Sequence, residues 1–141
     1  MQPQYTHRST EALTAAHQLA ASSGNPELVP AHLALTLLAE PEGVMSAVLS
    51  KLGVDPKALR PELEALLAKL PRASGGGQVA SSRAFTSVMA DAAKAAGDRK
   101  DEFVSTEHLL LALARQGSPE VAGLFAARDA GPDRIEAALE E

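Results

Sequence analysis

The stretch "STEHLLLALARQG", Ser105 to Gly117, has a counterpart earlier in the chain in "VPAHLALTLLAEP", Val29 to Pro41. Each carries a His in its fourth position followed by Leu at alternate places. His32 thus meets His108, and Leu33, Leu35 and Leu37 meet Leu109, Leu111 and Leu113. The shift between the copies is 76 residues, and the rest of the chain keeps it without a gap. Thr10 meets Thr86, Ala16 meets Ala92, Ala20 meets Ala96, Pro56 meets Pro132 and Leu63 meets Leu139. Between these, apolar residues face apolar ones: Leu13 with Met89, Leu28 with Val104, Val48 with Leu124, Leu59 with Ile135. The chain is a duplication. Two copies are too few for a solenoid, so the expectation is an all-α fold of two pseudo-symmetric repeats, four helices each, packed into one globular domain.

Each repeat reads as four helices. The first spans about 6–22, with Ala12, Leu13, Ala16, Leu19 and Ala20 along one face, and Gly24-Asn25-Pro26 ends it. The second starts near Pro30, since proline suits a first turn whose N–H groups are unpaired anyway, and ends at Glu40-Pro41. The third covers about 43–52 and stops at Gly53. The fourth has Asp55 as N-cap and Pro56 at its first position, and runs to about Leu70. The second half predicts helices near 82–96, 106–116, 119–128 and 132–141, with Ser105 and Ser118 as N-caps. Residues 1–141 read as a single domain: repeat one 1–70, a connector 71–81, repeat two 82–141. The last residues, "AALEE", carry no C-cap, as if a longer protein continued.

The 141 residues suit one compact domain, and 45% hydrophobic with 22% charged residues is globular rather than disordered composition. Aromatics are only 3%, so Ala, Leu and Val must build the core, a palette that favours helix. A net charge of −5 argues against a nucleic-acid surface. The absence of cysteine excludes disulfides, thiol catalysis and Cys-based zinc, and is compatible with a reducing cytosol. No apolar run approaches membrane-spanning length, and the N-terminus is too polar for a signal peptide.

The residues offer little chemistry. Three consecutive glycines in "LPRASGGGQVASS", 70–82, would need a following Lys-Ser/Thr and a preceding strand to cradle phosphate. Neither is present, so the stretch reads as a flexible connector. His7, His17, His32 and His108 show no His-Glu-x-x-His spacing, and two histidines at equivalent places fall short of a metal site. His32 and His108 read as first-turn residues bonding locally. No Gly-x-Ser-x-Gly elbow and no Walker A motif occurs. "DRKDE", 98–102, reads as a solvated interhelical loop. What is left is a binding module without catalytic residues, metal or cofactor of its own.

The duplicated four-helix unit, "STEHLLLAL" at Ser105 and "LPRASGGG" at Leu70 together resemble the N-terminal domain of the Clp ATPases. "DEFVSTEHL" at Asp101 and "NPELVPAHL" at Asn25 bring the resemblance nearest to the ClpB disaggregase type, over essentially the whole chain. It implies a mobile cytoplasmic module joined to ATPase modules that are hexameric at full length and hold the ATP and magnesium. It further implies recognition of unfolded or aggregated polypeptide for disaggregation, in company with a co-chaperone system of the DnaK type. Carried over by position, the substrate-binding residues are Thr6, Ser82, Asp101 and Glu107, with Met89 and His108 in a shallow apolar groove. Asp91, where the family often has an apolar residue, and His108, where it commonly has Leu, would make that groove more polar. An adaptor-docking role of the ClpC or ClpA type is the alternative; those relatives tend to keep Thr-Glu-His in both halves, whereas here it stands in one.

Three of these residues keep two readings. Glu107 suits the positive end of a helix macrodipole, which alone accounts for it. Its counterpart Ala31 shows that the fold does not require a carboxylate there, which favours function. Asp101 could cap, or pair with Arg99 or Lys100. Met89 is either core or an adaptable binding residue.

Overall fold

A computed structural model describes residues 4–40, 42–73, 78–117 and 119–140. Eight helices follow one another: α1 His7–Ser22, α2 Pro30–Ala39, α3 Val44–Lys51, α4 Pro56–Ala68, α5 Arg83–Asp98, α6 Thr106–Gln116, α7 Pro119–Ala127 and α8 Pro132–Leu139. Shifting α1 by 76 residues gives both ends of α5, and α2, α3 and α4 fall on α6, α7 and α8 with the same starts to within one residue. The all-α, two-repeat architecture read from the sequence is the observed one. Three expectations, Ser118 as a cap, Pro41 as a helix end and the glycines 75–77 of the connector, lie outside the described residues.

The caps are local chemistry. Asp55 accepts the Lys57 N–H at 2.9 Å, and Pro30, Pro56 and Pro132 occupy first turns. Gly24 leaves α1 at φ +73° and Gly53 leaves α3 at φ +82°. Their counterparts Lys100 and Asp129 hold the same left-handed region at +60° and +56°, so the second repeat keeps the bend without glycine.

The core is the layer between the two copies of the quoted helix. Leu33, Leu37, Leu109, Leu110, Leu111 and Leu113 are all buried, α2 touches α6 directly, α1 lies on α2, and α5 lies on α6. On α1 the buried apolar residues are Ala12, Ala16 and Ala20, while Leu13 and Leu19 are only partly covered. Alanines allow α1 to approach α2 closely, which is how a chain with 3% aromatics closes a core. No single helix among the described residues is long and apolar enough to cross a membrane.

Four two-residue strands were not expected. β1 Gln4–Tyr5 pairs in parallel with β4 Phe103–Val104, and β2 Glu27–Leu28 with β3 Ala80–Ser81. The ladders are equivalent under the repeat, and each joins one repeat to the other. β3 falls in the stretch read as connector, at the counterpart position of β1. These strands bring two otherwise remote segments to the starts of α2 and α6.

Candidate functional site

The start of α6 gathers four of the six predicted residues. Thr6 is the N-cap of α1, its Oγ1 accepting the Ser9 N–H at 3.1 Å. Its own N–H donates to the Val104 carbonyl at 3.1 Å, and the Ser9 hydroxyl donates to the same carbonyl at 2.9 Å. That ties Thr6 to β4. Just before β4, Asp101 turns back on α6 and places Oδ2 2.9 Å from His108 Nε2. The other ring nitrogen, Nδ1, accepts the Ser105 N–H at 2.9 Å. With Nδ1 accepting, Nε2 carries the proton and donates to Asp101. Glu107, in the first turn of α6, is exposed.

His108 is buried, and both its ring nitrogens are engaged. The ring therefore bonds locally. Asp101 neither caps a helix nor pairs with Arg99 or Lys100; it holds the histidine. The loop is accordingly more than a solvated link, and Arg99 reaches Glu136 at 3.2 Å. Ser105 stands at the N-cap position, but its hydroxyl lies 3.1 Å from His108 Nδ1 instead of bonding a helix N–H. Ser105, His108 and Asp101 therefore stand in line, as in a hydrolase. The lone pair that would take the serine proton already receives the Ser105 backbone N–H, so the line reads as a bracket for the loop.

Repeat one has the same bracket in neutral form. His32 Nε2 lies 3.0 Å from Asn25 Oδ1, its Nδ1 accepts the Val29 N–H at 3.0 Å, and Asn25 Nδ2 donates to the Pro71 carbonyl at 3.1 Å. Burial lowers the pKa of His32 below 6.5. Each histidine has its own partner in its own repeat. Among the described residues no group of three or more metal-binding side chains forms.

Ser82 lies elsewhere. It caps α5 by accepting the Phe85 N–H at 3.0 Å, and its own N–H donates to the Leu28 carbonyl on the other ladder. It borders a shallow groove of about 290 Å³ between the starts of α2, α5 and α7 and the last turn of α4. Val29, Pro30, Ala31, Leu66, Leu70 and Ala84 make this groove apolar, with Lys69 and Glu120 as its charged members. Under the 76-residue shift Val29, Pro30, Ala31 and Ala84 correspond to Ser105, Thr106, Glu107 and Arg8, and Ser82 corresponds to Thr6. Four apolar lining positions of the groove, Val29, Pro30, Ala31 and Ala84, are thus polar or charged in the other copy. Met89 is half-buried against the core on α5 and does not line the groove. Asp91 is drawn toward Arg115, at 3.9 Å, which also meets Glu136 at 3.5 Å.

Two features escaped the sequence reading. Phe103, on β4 between the acidic residues and the start of α6, is 43% exposed, the large hydrophobic side chain left open among the described residues. The groove was signalled by the contrast of Ala31 with Glu107, which marks Ala31 as much as Glu107.

The fold and the site define an all-α, internally duplicated domain with a shallow apolar groove. Its family follows from comparison: the family described as the Clp repeat (R) N-terminal domain matches residues 4–127, and the chain belongs to it. The chaperone protein ClpB of Mycobacterium tuberculosis is 39% identical over 135 residues, covering 95% of this chain. The chain spans about 16% of the length of that relative. The crystal structure of the Hsp104 N-terminal domain from Candida albicans superposes with a TM-score of 0.84 at 20% identity, covering 96% of this chain and 88% of that one. A ClpV N-domain in complex with a VipB peptide superposes at 0.71 and 18% identity, covering 97% and 88%.

Proposed function

We propose that this chain is the substrate-recognition domain of a ClpB-type chaperone. It binds unfolded or aggregated polypeptide and passes it to ATPase modules of the same protein, a cytoplasmic hexamer at full length that works with a DnaK-type partner. The observation that carries this reading is the apolar groove beside Ser82. An open, shallow, largely apolar concavity suits short hydrophobic segments that folded proteins hide, and binds them weakly and broadly. The peptide held by a ClpV N-domain of the same fold accords with such a role. The chain supplies recognition, and ATP and magnesium belong to the ATPase modules.

The test is an NMR titration of the 141-residue chain with an unfolded, apolar-rich polypeptide. Amide shifts are expected at Ala31, Leu66, Leu70 and Ala84, and Leu70→Glu should weaken them. Absence of any shift at millimolar ligand rejects the reading. Capture of one stoichiometric folded partner, with no response to denatured protein, would replace it with adaptor docking of the ClpC or ClpA type.

A further inference from the structure

The hydrogen bonds of repeat one point to an acid-sensitive clamp on the apolar groove: we infer that a proton on His32 releases the two sides of the groove and weakens its hold on apolar segments, with Asn25 as the positioning residue through which the histidine acts. This rests on the reading that the groove beside Ser82 takes such segments, and it specifies how that same site is regulated.

The clamp joins two segments that line the groove. His32 is fully buried in the first turn of α2, and its Nδ1 accepts the Val29 N–H at 3.0 Å. With Nδ1 accepting, Nε2 donates to Asn25 Oδ1 at 3.0 Å, and Asn25 Nδ2 donates in turn to the Pro71 carbonyl at 3.1 Å. One end of this line fixes Val29, beside Pro30 and Ala31. The other fixes the chain just after Lys69 and Leu70, where the Ala73 N–H also donates to the Gly24 carbonyl at 2.8 Å. All five of these flanking residues, Val29, Pro30, Ala31, Lys69 and Leu70, line the groove.

A proton on Nδ1 sets two N–H groups against each other across 3.0 Å, so the Val29 bond is lost. The ring then carries a buried charge, which is costly without a charged partner. Asn25 is neutral, and among the described residues no ion pair joins His32 to any group. The ionisable side chains on adjoining segments are exposed to water: His17 on α1, Glu27 on β2, Lys69 after α4, Arg72 beyond it, Arg83 on α5 and Glu107 on α6. Burial holds the pKa of His32 below 6.5, so the ring is neutral at pH 7.5 and the clamp is closed there.

Repeat two has the same bracket equipped to keep a proton. At the place of Val29 it has Ser105, whose hydroxyl lies 3.1 Å from His108 Nδ1 and can accept a new N–H. At the place of Asn25 it has Asp101, whose carboxylate lies 2.9 Å from Nε2 and balances the charge. Repeat one lacks both substitutes. Acid therefore opens one bracket of the two, the one that ties the groove together.

The test uses an end-capped, unstructured 15-residue peptide of Leu, Phe, Ser and Gln, without ionisable side chains, labelled with a pH-insensitive dye. Its binding to the 141-residue chain is followed by anisotropy and amide shifts from pH 7.5 downward, with circular dichroism showing at each pH that the chain is folded. The ring protons of His32 report its titration. Affinity should fall by about 3- to 10-fold, the cost of ordering a freed segment on binding, with the midpoint of the His32 titration. The amides of Val29 and Ala73 should move with that midpoint and the amide of Ser105 should not. His32→Gln offers Asn25 a neutral donor that takes up no proton, so its affinity should not vary with pH. Asn25→Ala severs the tie at every pH and should bind at pH 7.5 as weakly as the parent in acid; a residue that only stabilises the fold would lower Tm and leave the affinity of the folded chain unchanged. Unchanged affinity while His32 titrates, an acid loss that persists in His32→Gln, or a His32 that stays neutral until the chain unfolds overturns the inference and leaves the groove reading standing. Silence of Ala31, Leu66 and Ala84 toward the peptide at pH 7.5 overturns both.

Discussion

Removing the Asp101 carboxylate tests whether the two histidine brackets are structural equivalents. In Asp101→Ala the Nε2–H of His108 loses its partner 2.9 Å away, in a ring only 4% exposed. A buried donor left unpaired costs about 1–3 kcal/mol. Half of the Asp101 side chain is exposed, so water can approach the vacated position, which favours the lower part of that range, about 1–2 kcal/mol. At about 2.1 cal/mol/K per residue, unfolding 141 residues carries roughly 0.3 kcal/mol/K, so Tm should fall by about 3–7 °C. Asp101→Asn recreates the Asn25–His32 pair, keeps an acceptor for Nε2–H, and should stay within about 0.5 kcal/mol of the parent. Asn25→Ala should cost more than Asp101→Ala, about 2–3 kcal/mol, because Asn25 is buried and also donates to Pro71. Urea unfolding followed by circular dichroism at pH 7.5 measures all three. If Asp101→Asn loses as much as Asp101→Ala, the carboxylate acts by charge and the equivalence fails. If neither variant moves the midpoint, the bracket contributes nothing.

Four further outcomes follow from the same structure. The pKa of His32 lies below 6.5 when folded, so between the two values the unfolded chain binds more protons. Stability should fall as pH drops from about 6.5 through the folded pKa and level off below it, and His32→Gln should flatten that part of a urea-midpoint profile. Leu33→Ala and Leu109→Ala empty equivalent, fully buried positions and should each cost about 2–5 kcal/mol, read by the same denaturation. Lys100→Gly relieves a left-handed backbone that Gly24 occupies without strain in repeat one, and should raise stability by up to about 1 kcal/mol; Gly24→Ala should lower it by a similar amount. Asp91 is 14% exposed and 3.9 Å from Arg115, too far for a hydrogen bond, so Asp91→Leu should be neutral or raise Tm slightly.

The helices were legible because their signals are local. Each has apolar residues at helical spacing and a recognisable start, such as Asp55-Pro56 or Pro132, and the repeat supplied every boundary twice. The strands were not legible, since two residues cannot display an alternation and their pairing partners lie about a hundred or fifty positions away in the chain. The same reason explains the site. Thr6 and Ser82 read as neighbours around one groove, yet they are counterparts on opposite ladders, because a site residue carried over by position brings no information about which face it occupies. Asp101 and His108 are seven residues apart, and only the left-handed turn at Lys100 and the bend into β4 bring them together. The groove draws on four helices, so no window of sequence contains it. Its one trace was compositional: the same position holds Ala31 in one copy and Glu107 in the other.

The crossed ladders set a minimum size for this architecture. A chain of one repeat would own one strand before its first helix and another before its second, and neither finds a mate within that repeat. Two such chains related by a two-fold axis would exchange strands and close both ladders. The present polypeptide is that exchange written in a single molecule, with the 71–81 segment in place of a dimer's free ends. Cutting it there should give halves that are soluble together and deficient apart, so complementation between fragments would report directly on how the two copies depend on each other.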